Sequence, residues 1–586
     1  MAQKTMYKGI NNSPVTKLTA SLSTQDTTIN ITDETAFPDV PNIATIGTED
    51  NAELVLYTGK TTGKLTGCTR GFYGTIAKSW PASTKIYRGY TAYDHDTFID
   101  NIRNLAKNTR RYGIKWNGVT AECTRTGDAS SITTDTTNFK HSGSKNSNYD
   151  NPFDNIYPWS GIRLCNIDLD AYYALASGGN ILSCVKAWEG DIDFSYTDTD
   201  GVWRYTPEFW GKAWNDEDNN RNIEIIDKPL GGYVHYKAGF DGRWHGGIRS
   251  RTVGGEAKTL LLPCTGMPGK SVSVSTLHSY AKNFKATLDN IFSIDASTML
   301  YLVEFADFNS QYTIGNGVSD LYRQSEDKIQ EDATSSATVK VLASAATTCI
   351  PGAIMDIGTS NGSASVGSFI IDSVTTDPND DTLKIVTLTT DGITTTSVTV
   401  TTDHFWSVHG LANVADEDIG SQSGYIGTNG RSNVYYRGVN FAANLWYYVL
   451  GAYRETGTGN IWIAHDEEEA DAYDALDTDV HIDTGLVLPK NGDGTESASG
   501  YVQTLGLLDN STFLSVPPFC TEFGGSSASP VGDYNYIPAL TTGNTILLLG
   551  GRAAYGSNAG RFCASWDYSA SPSSWAYGAR PRLKNP

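Results

Sequence analysis

The sequence predicts a mainly β protein with some α, divided into three or four domains. Three observations carry that expectation. The chain has 586 residues, more than a single hydrophobic core usually holds. Hydrophobic residues make up 39% and charged residues 19%, a globular rather than a disordered balance. Gly, Ser, Thr and Asn are abundant while long helical periodicities are few, so short strands between turns should dominate.

Residues 1–92 read as a small β domain. Residues 28–31, 42–46 and 53–57 are short apolar runs bounded by turn residues. The segments Tyr57-Thr58-Gly59-Lys60 and Thr69-Arg70-Gly71-Phe72-Tyr73-Gly74-Thr75 resemble a small β domain found in phage tail and baseplate proteins. That resemblance implies attachment to the virion. A glycine-rich loop with an arginine also suits phosphate, but no strand–loop–helix context with Lys-Ser/Thr follows.

Residues 93–114 predict a helical connector, with its best helical pattern over 94–111, whose apolar stripe suits packing either on the β unit or on symmetry mates as a trimerisation element. Phe98, Ile102 and Leu105 form one apolar stripe, and Arg103, Lys107, Arg110 and Arg111 load the C-terminal half favourably for the helix dipole. Asp94-His95-Asp96 offers metal-ligand types, yet acidic residues opening a helix account for it equally in composition and better in position.

Residues 115–329 open the main body, with helical patterns at 275–290 and 295–305. Between 330 and 409 aromatics nearly vanish and Thr, Ser, Val and Ile alternate, as in Ala337-Thr338-Val339-Lys340-Val341. This predicts a self-contained inserted β-sandwich or barrel, separable from the body. Residues 410–586 resume the aromatic-rich pattern.

The final stretch carries the functional signal. The apolar run 546–549 predicts a buried strand stopped by Gly550-Gly551. Tyr, Trp, Ser and Asn follow with few long charged side chains, a composition suited to a recognition surface. The same composition also suits a terminal sheet whose aromatics fill a core. Phe562, Ala564 and Trp566 alternate with Cys563, Ser565 and Asp567. Period two assigns the first set inward and the second set outward. The candidate binding patch is therefore Arg552, Ala554, Tyr555, Asn558, Cys563, Ser565, Asp567, Tyr568, Ser574, Ala576 and Tyr577, within a tip at 550–583.

Charge and cysteines narrow the function. A net charge of −21 argues against a general nucleic-acid or anionic-membrane binder, which needs clustered Lys and Arg. No run is long enough to span a membrane, and the N-terminus lacks the apolar core of a signal peptide. Assembly in a host cytoplasm is expected. The eight cysteines are scattered without a CxxC pair, so free buried thiols are expected, with no zinc site and no disulfide framework. His465-Asp466-Glu467-Glu468-Glu469, with Asp471, Asp474, Asp477, Asp479 and His481, suits either a divalent cation or a solvated acidic surface. The calcium-loop spacing is missing, which favours the surface. Glu208, Glu304 and Asp307 are available for glycoside hydrolysis, but nothing in their spacing pairs them.

Three further motifs carry a resemblance. Gly550-Gly551, Tyr555-Gly556, Ala559-Gly560, Phe562 and Gly578-Ala579-Arg580 resemble the C-terminus of phage receptor-binding proteins diversified by retroelements, the major-tropism-determinant-like family. Phe153-Asp154-Asn155-Ile156-Tyr157-Pro158-Trp159 resembles a tail-fibre motif that precedes lectin-like domains. Asn444-Leu445-Trp446-Tyr447-Tyr448 is similar to the Gly-Asn-x-Trp-Glu-Trp signature of the formylglycine-generating-enzyme branch of the C-type-lectin fold, with Ala443 and Tyr447 replacing its Gly and Glu. The resemblance implies one C-type-lectin-like domain formed by 115–329 and 410–586 and carrying the insertion. It also implies a tail-fibre adhesin on the virion, a homotrimer bound to other tail or baseplate proteins, and a receptor that is a host surface protein or glycan. No cofactor and no metal are expected, nor any enzymatic activity. A glycan depolymerase and a purely structural baseplate protein are the alternatives.

Overall fold

A computed structural model of the chain describes residues 4–133, 151–391, 394–413, 430–471, 476–506, 508, 519–524 and 526–584. The described residues are mainly β with five α-helices, and the chain divides into two compact units, 1–109 and 110–586.

In the first unit, Val15–Lys17, Lys85–Tyr87, Asn42–Ile46 and Glu53–Tyr57 lie side by side in that order as an antiparallel sheet. Leu18, Ile29, Val55, Leu65 and Ile86 fill its core. The Arg70 loop has a structural task. Its guanidinium grips the buried Glu53 carboxylate through two bonds of 2.6 and 2.8 Å. Glu53 also accepts from the Gly71 and Lys78 amides and from the Trp80 indole. Burial alone would raise its pKa, but these donors hold it below the usual value.

Helix Ala92–Asn108 belongs to this unit rather than to a separate connector. Thr91 and Asp94 form a reciprocal capping box, and Arg88 pairs with Asp94 at 2.7 Å. Asp94 is therefore a helix cap, and Asp96 accepts from the Tyr73 hydroxyl. Arg111, assigned to the helix by its charge pattern, instead opens strand Arg111–Trp116 in the second unit. Phe98 and Ile102 remain 49% and 46% exposed; the side chain of Leu105 lies outside the described residues.

The second unit is built around helix Ile291–Phe305, in which only Phe292 and Ala296 are not fully buried. Its apolar residues face several neighbours at once, and its polar Ser297, Thr298 and Glu304 are buried as hydrogen-bond partners. One side meets the five-stranded sheet of Val234–Tyr236, Phe209–Asn215, Arg221–Ile226, Arg111–Trp116 and Thr124–Gly127. Other residues of the helix pack beneath strands Trp446–Arg454 and Thr545–Leu549, the centre of a nine-stranded sheet. The C-terminal strand Pro581–Lys584 sits between Gly239–Gly242 and Thr287–Leu288, so the segments before and after the insertion share one sheet.

Buried ions lock these pieces together. Glu304 accepts from Arg437 at 2.6 and 2.9 Å, from Asn151 at 2.6 Å and from the Tyr436 hydroxyl. Asp241 lies between Arg204 and Arg582, and Arg582 also meets Glu467. The acidic run around Glu467 is thus countercharge for the terminal strand: Glu468 pairs with Lys584 at 2.6 Å, and Asp471 pairs with Lys282. Even so the run is largely the solvated surface its composition predicted, since His465, Asp466, Glu468, Asp477 and Asp479 are exposed, and it forms no metal-ligand cluster among the described residues. Asp474 lies outside them. All eight cysteines are free thiols, seven of them buried.

The insertion is a six-stranded sheet in the order Tyr322–Lys328, Phe405–Leu411, Ala353–Gly358, Gly367–Asp377, Asp380–Thr389 and Thr338–Leu342. Its strands reach from 322 to 411, past both ends of the compositional shift. Its core also takes in Val318, Leu321 and Ala553, the last from the tip. At the seam Asp356 accepts 2.9 Å bonds from Lys270 of the body and lies 2.6 Å from His409 Nδ1. Burial pushes against its charge, but His409, Lys270 and Ser368 hold its pKa at about 2.

Candidate functional site

The C-terminal tip hangs from strand Thr545–Leu549, which pairs with Trp446–Arg454. Its exit needs glycine. Gly550 and Gly551 have φ of +95° and +81°, and a Cβ on Gly550 would lie 2.9 Å from the Tyr447 ring. Gly560 is constrained by space alone, since a Cβ there would lie 2.1 Å from Asp533.

Two buried side chains hold the loop between those glycines. Asp533 accepts from the Phe562 amide at 2.7 Å and from Gln311 at 2.8 Å, and Gln311 also donates to the Ser557 carbonyl. Burial pushes the Asp533 carboxyl up to about 7, against these donors. Arg561, fully buried, donates to Thr298, Ser297, the Ile294 carbonyl and the Tyr447 hydroxyl. The Tyr447 hydroxyl thus accepts a 3.0 Å bond from this buried arginine. Ala443 and Asn444 both take positive φ, 61° and 71°, a conformation uncommon for residues other than glycine.

The alternation at 562–567 is real, but neither face of that strand is solvent. Ala564–Ser565 lies between Thr545–Leu549 and Tyr534–Ile537 and is paired on both sides. Phe562, Ala564 and Trp566 are buried as expected. Cys563 is fully buried too, against the cluster containing Tyr448, Leu548 and Tyr577, and Ser565 is 2% exposed. Ala576 and Tyr577 are also buried, because Tyr577–Gly578 pairs in parallel with Trp446 and Tyr447. These four positions are corrected from surface to core. Period two reveals that a strand has two faces, not which of them is wet.

Seven predicted residues keep access to solvent. Tyr568 is 38% exposed, and Arg552, Ala554, Tyr555, Asn558, Asp567 and Ser574 are half-buried. Burial raises the Asp567 carboxyl above its usual value, with Ser565 and Arg454 opposing. Ser574 accepts from the Ala576 amide and so shapes a turn.

Around them stand aromatic rings that were not assigned from the sequence. The rings run in order Tyr501, Tyr534, Tyr536 and Tyr555, with centroids 5.0, 4.8 and 5.0 Å apart. Asn558 bridges this row, accepting from Tyr501 at 2.9 Å and donating to Tyr536 at 3.3 Å. The Arg552 guanidinium lies 4.7 Å from the Tyr555 ring and 5.4 Å from that of Trp575. Trp575 stacks on His409 at 4.4 Å and on Tyr322 at 5.4 Å, which carries the row onto the inserted sheet. The signal for Tyr534 and Tyr536 was present in the Tyr-Asn-Tyr alternation, which faces the rings one way and the buried Asn535 the other. Nothing local marked Tyr501 or Tyr322, which arrive from distant strands.

The candidate carboxylates for hydrolysis are not gathered. Glu304 is sealed by Arg437, Glu208 meets His235 at the surface, and Asp307, raised to about 6 by burial, bonds the Asn309 amide. No protein-family model and no curated protein matches this chain.

Proposed function

We propose that the protein is a phage tail-fibre or tail-tip adhesin that binds a host surface receptor through the tip of a C-type-lectin-like domain. The carrying observation is the half-exposed row from Tyr501 through Tyr555 and Arg552 to Trp575, mounted on a buried scaffold of Asp533 and Arg561. Tyrosine, tryptophan and arginine dominate interface energetics, and a rigid backing lowers the entropy lost on binding. Phe98 and Ile102 on the helix of the first unit suit a homotrimer, and three tips on one fibre turn modest affinity into avidity. The first unit then serves attachment to other tail or baseplate proteins.

The test is adsorption blocking. Purified chain added to host cells before the phage should prevent adsorption. Full adsorption at a saturating concentration of the chain would overturn the proposal.

A further inference from the structure

A second surface lies on the five-stranded sheet, and none of its residues belongs to the tip. Along Phe209–Asn215 burial alternates: Phe209, Gly211 and Ala213 are buried, while Trp210, Lys212 and Trp214 stand on the opposite, part-exposed face. Phe209 and Ala213 pack into the core with Tyr236, whereas neither tryptophan joins that core. On the neighbouring strand His235 stacks flat on Trp210, with centroids 4.7 Å apart and planes 8° from parallel. Trp210 and Trp214 are separated along the strand by roughly 13 Å at about 3.3 Å per residue, room for a short linear chain to lie across both.

The charges on this face are largely used up among themselves. Arg111 pairs with Glu224 at 2.9 Å, Lys115 with Asp216 at 2.7 Å and His235 with Glu208 at 2.9 Å. Lys212 is different. Its ammonium stands 5.2 Å from the Trp214 ring and 6.0 Å from the Tyr233 ring, with no carboxylate partner among the described residues. In a chain of net charge −21 an unpaired cation held over two rings is a notable feature. At the edge of the sheet a cavity of about 390 Å³ shares Tyr233 and His235 with this face and is closed by Lys237, Phe292, Asp466, Glu467 and Arg582. That volume lies within the usual range for a small-ligand pocket.

We propose that this face binds an acidic oligosaccharide. Trp210 and Trp214 take the apolar faces of pyranose rings, and Lys212 takes a uronic-acid carboxylate. Stacked rings supply sequence-tolerant contact area, and an ammonium–carboxylate bond supplies selection for charge. Nucleic acid, which also stacks on aromatics, needs several phosphate-binding cations, and here the other basic groups are already paired.

Isothermal titration calorimetry of the full chain decides the matter, with hexagalacturonate, cellohexaose and oligothymidylate as probes. Hexagalacturonate should bind. Lys212→Gln should weaken it about tenfold, and Trp214→Ala should do the same, with melting curves confirming that both variants fold. Arg552→Ala with Tyr555→Ala should leave this binding intact, which separates it from the tip. The proposal is overturned by any of four results: no heat with hexagalacturonate at millimolar concentration, equal binding of cellohexaose, tighter binding of oligothymidylate, or unchanged affinity in the two folded sheet variants.

Discussion

Asp533 is the residue on which the tip loop depends, and its titration is measurable. Its folded pKa is raised from 3.8 to about 7 by burial. A raised carboxyl binds its proton more tightly when folded. Its contribution to stability is therefore fully present below the unfolded pKa and is lost as pH rises through about 7. The full swing is on the order of 4 kcal/mol. Asp533→Asn removes the titration, so the stability of wild type relative to this variant should fall between pH 5 and pH 8. Parallel denaturation curves at the two pH values would show that the carboxyl does not titrate there. A second prediction separates core from surface within the same short stretch. Cys563 is fully buried and its thiol pKa is pushed well up by burial, so it should resist thiol reagents until the protein unfolds. Trp566→Ala should cost about 3–5 kcal/mol, whereas Tyr568→Ala should change stability by less than about 1 kcal/mol. Rapid labelling of native Cys563 would return it to the surface.

At the scale of elements, the insertion is less separable than its composition suggests. Removing 330–403 would leave Tyr322–Lys328 paired with Phe405–Leu411 but would strip Trp406, Val408, Leu321 and Ala553 of their partners. The deletion should lower the melting temperature of the remainder and weaken the tip, because Ala553 anchors the loop that carries Arg552 and Tyr555. An unchanged melting temperature would mean that the shared core contributes nothing. The sequence reported elements well wherever local pattern decides them. Strands 42–46 and 53–57, the helix expected over 94–111 and found at Ala92–Asn108, and the apolar strand before Gly550 were legible from turn residues and apolar pattern. It was less informative where distant segments decide. The short strand Ala564–Ser565 is covered on both faces by residues that lie far upstream in sequence or just before it, so its alternation could not identify a wet side. The acidic run is mostly exposed as its composition predicted, but the pairing of Asp471, Glu467 and Glu468 with Lys282, Arg582 and Lys584 was not legible, because those partners are remote in sequence. The aromatic row was only partly visible for the same reason: Tyr555, Asn558 and Arg552 were assigned from the sequence and are half-buried, while Tyr501, Tyr534, Tyr536 and Tyr322 join them only in the fold.

At the scale of the whole molecule, the adhesin reading requires assembly and a working tip. The exposed stripe of Phe98 and Ile102 should be covered in a homotrimer, so light scattering should give three times the 63.4 kDa chain mass. Phe98→Ser with Ile102→Ser should shift that value toward the monomer, and a wild-type monomer at micromolar concentration would refute the assembly. The central claim is that the row through Tyr555 and Arg552 is the receptor surface. The most direct measurement is binding of the labelled chain to host cells, with Arg552→Ala and Tyr555→Ala combined in one variant whose melting is followed in parallel. The account predicts at least tenfold weaker cell binding by a variant that still folds cooperatively. Wild-type binding by the folded variant would contradict it.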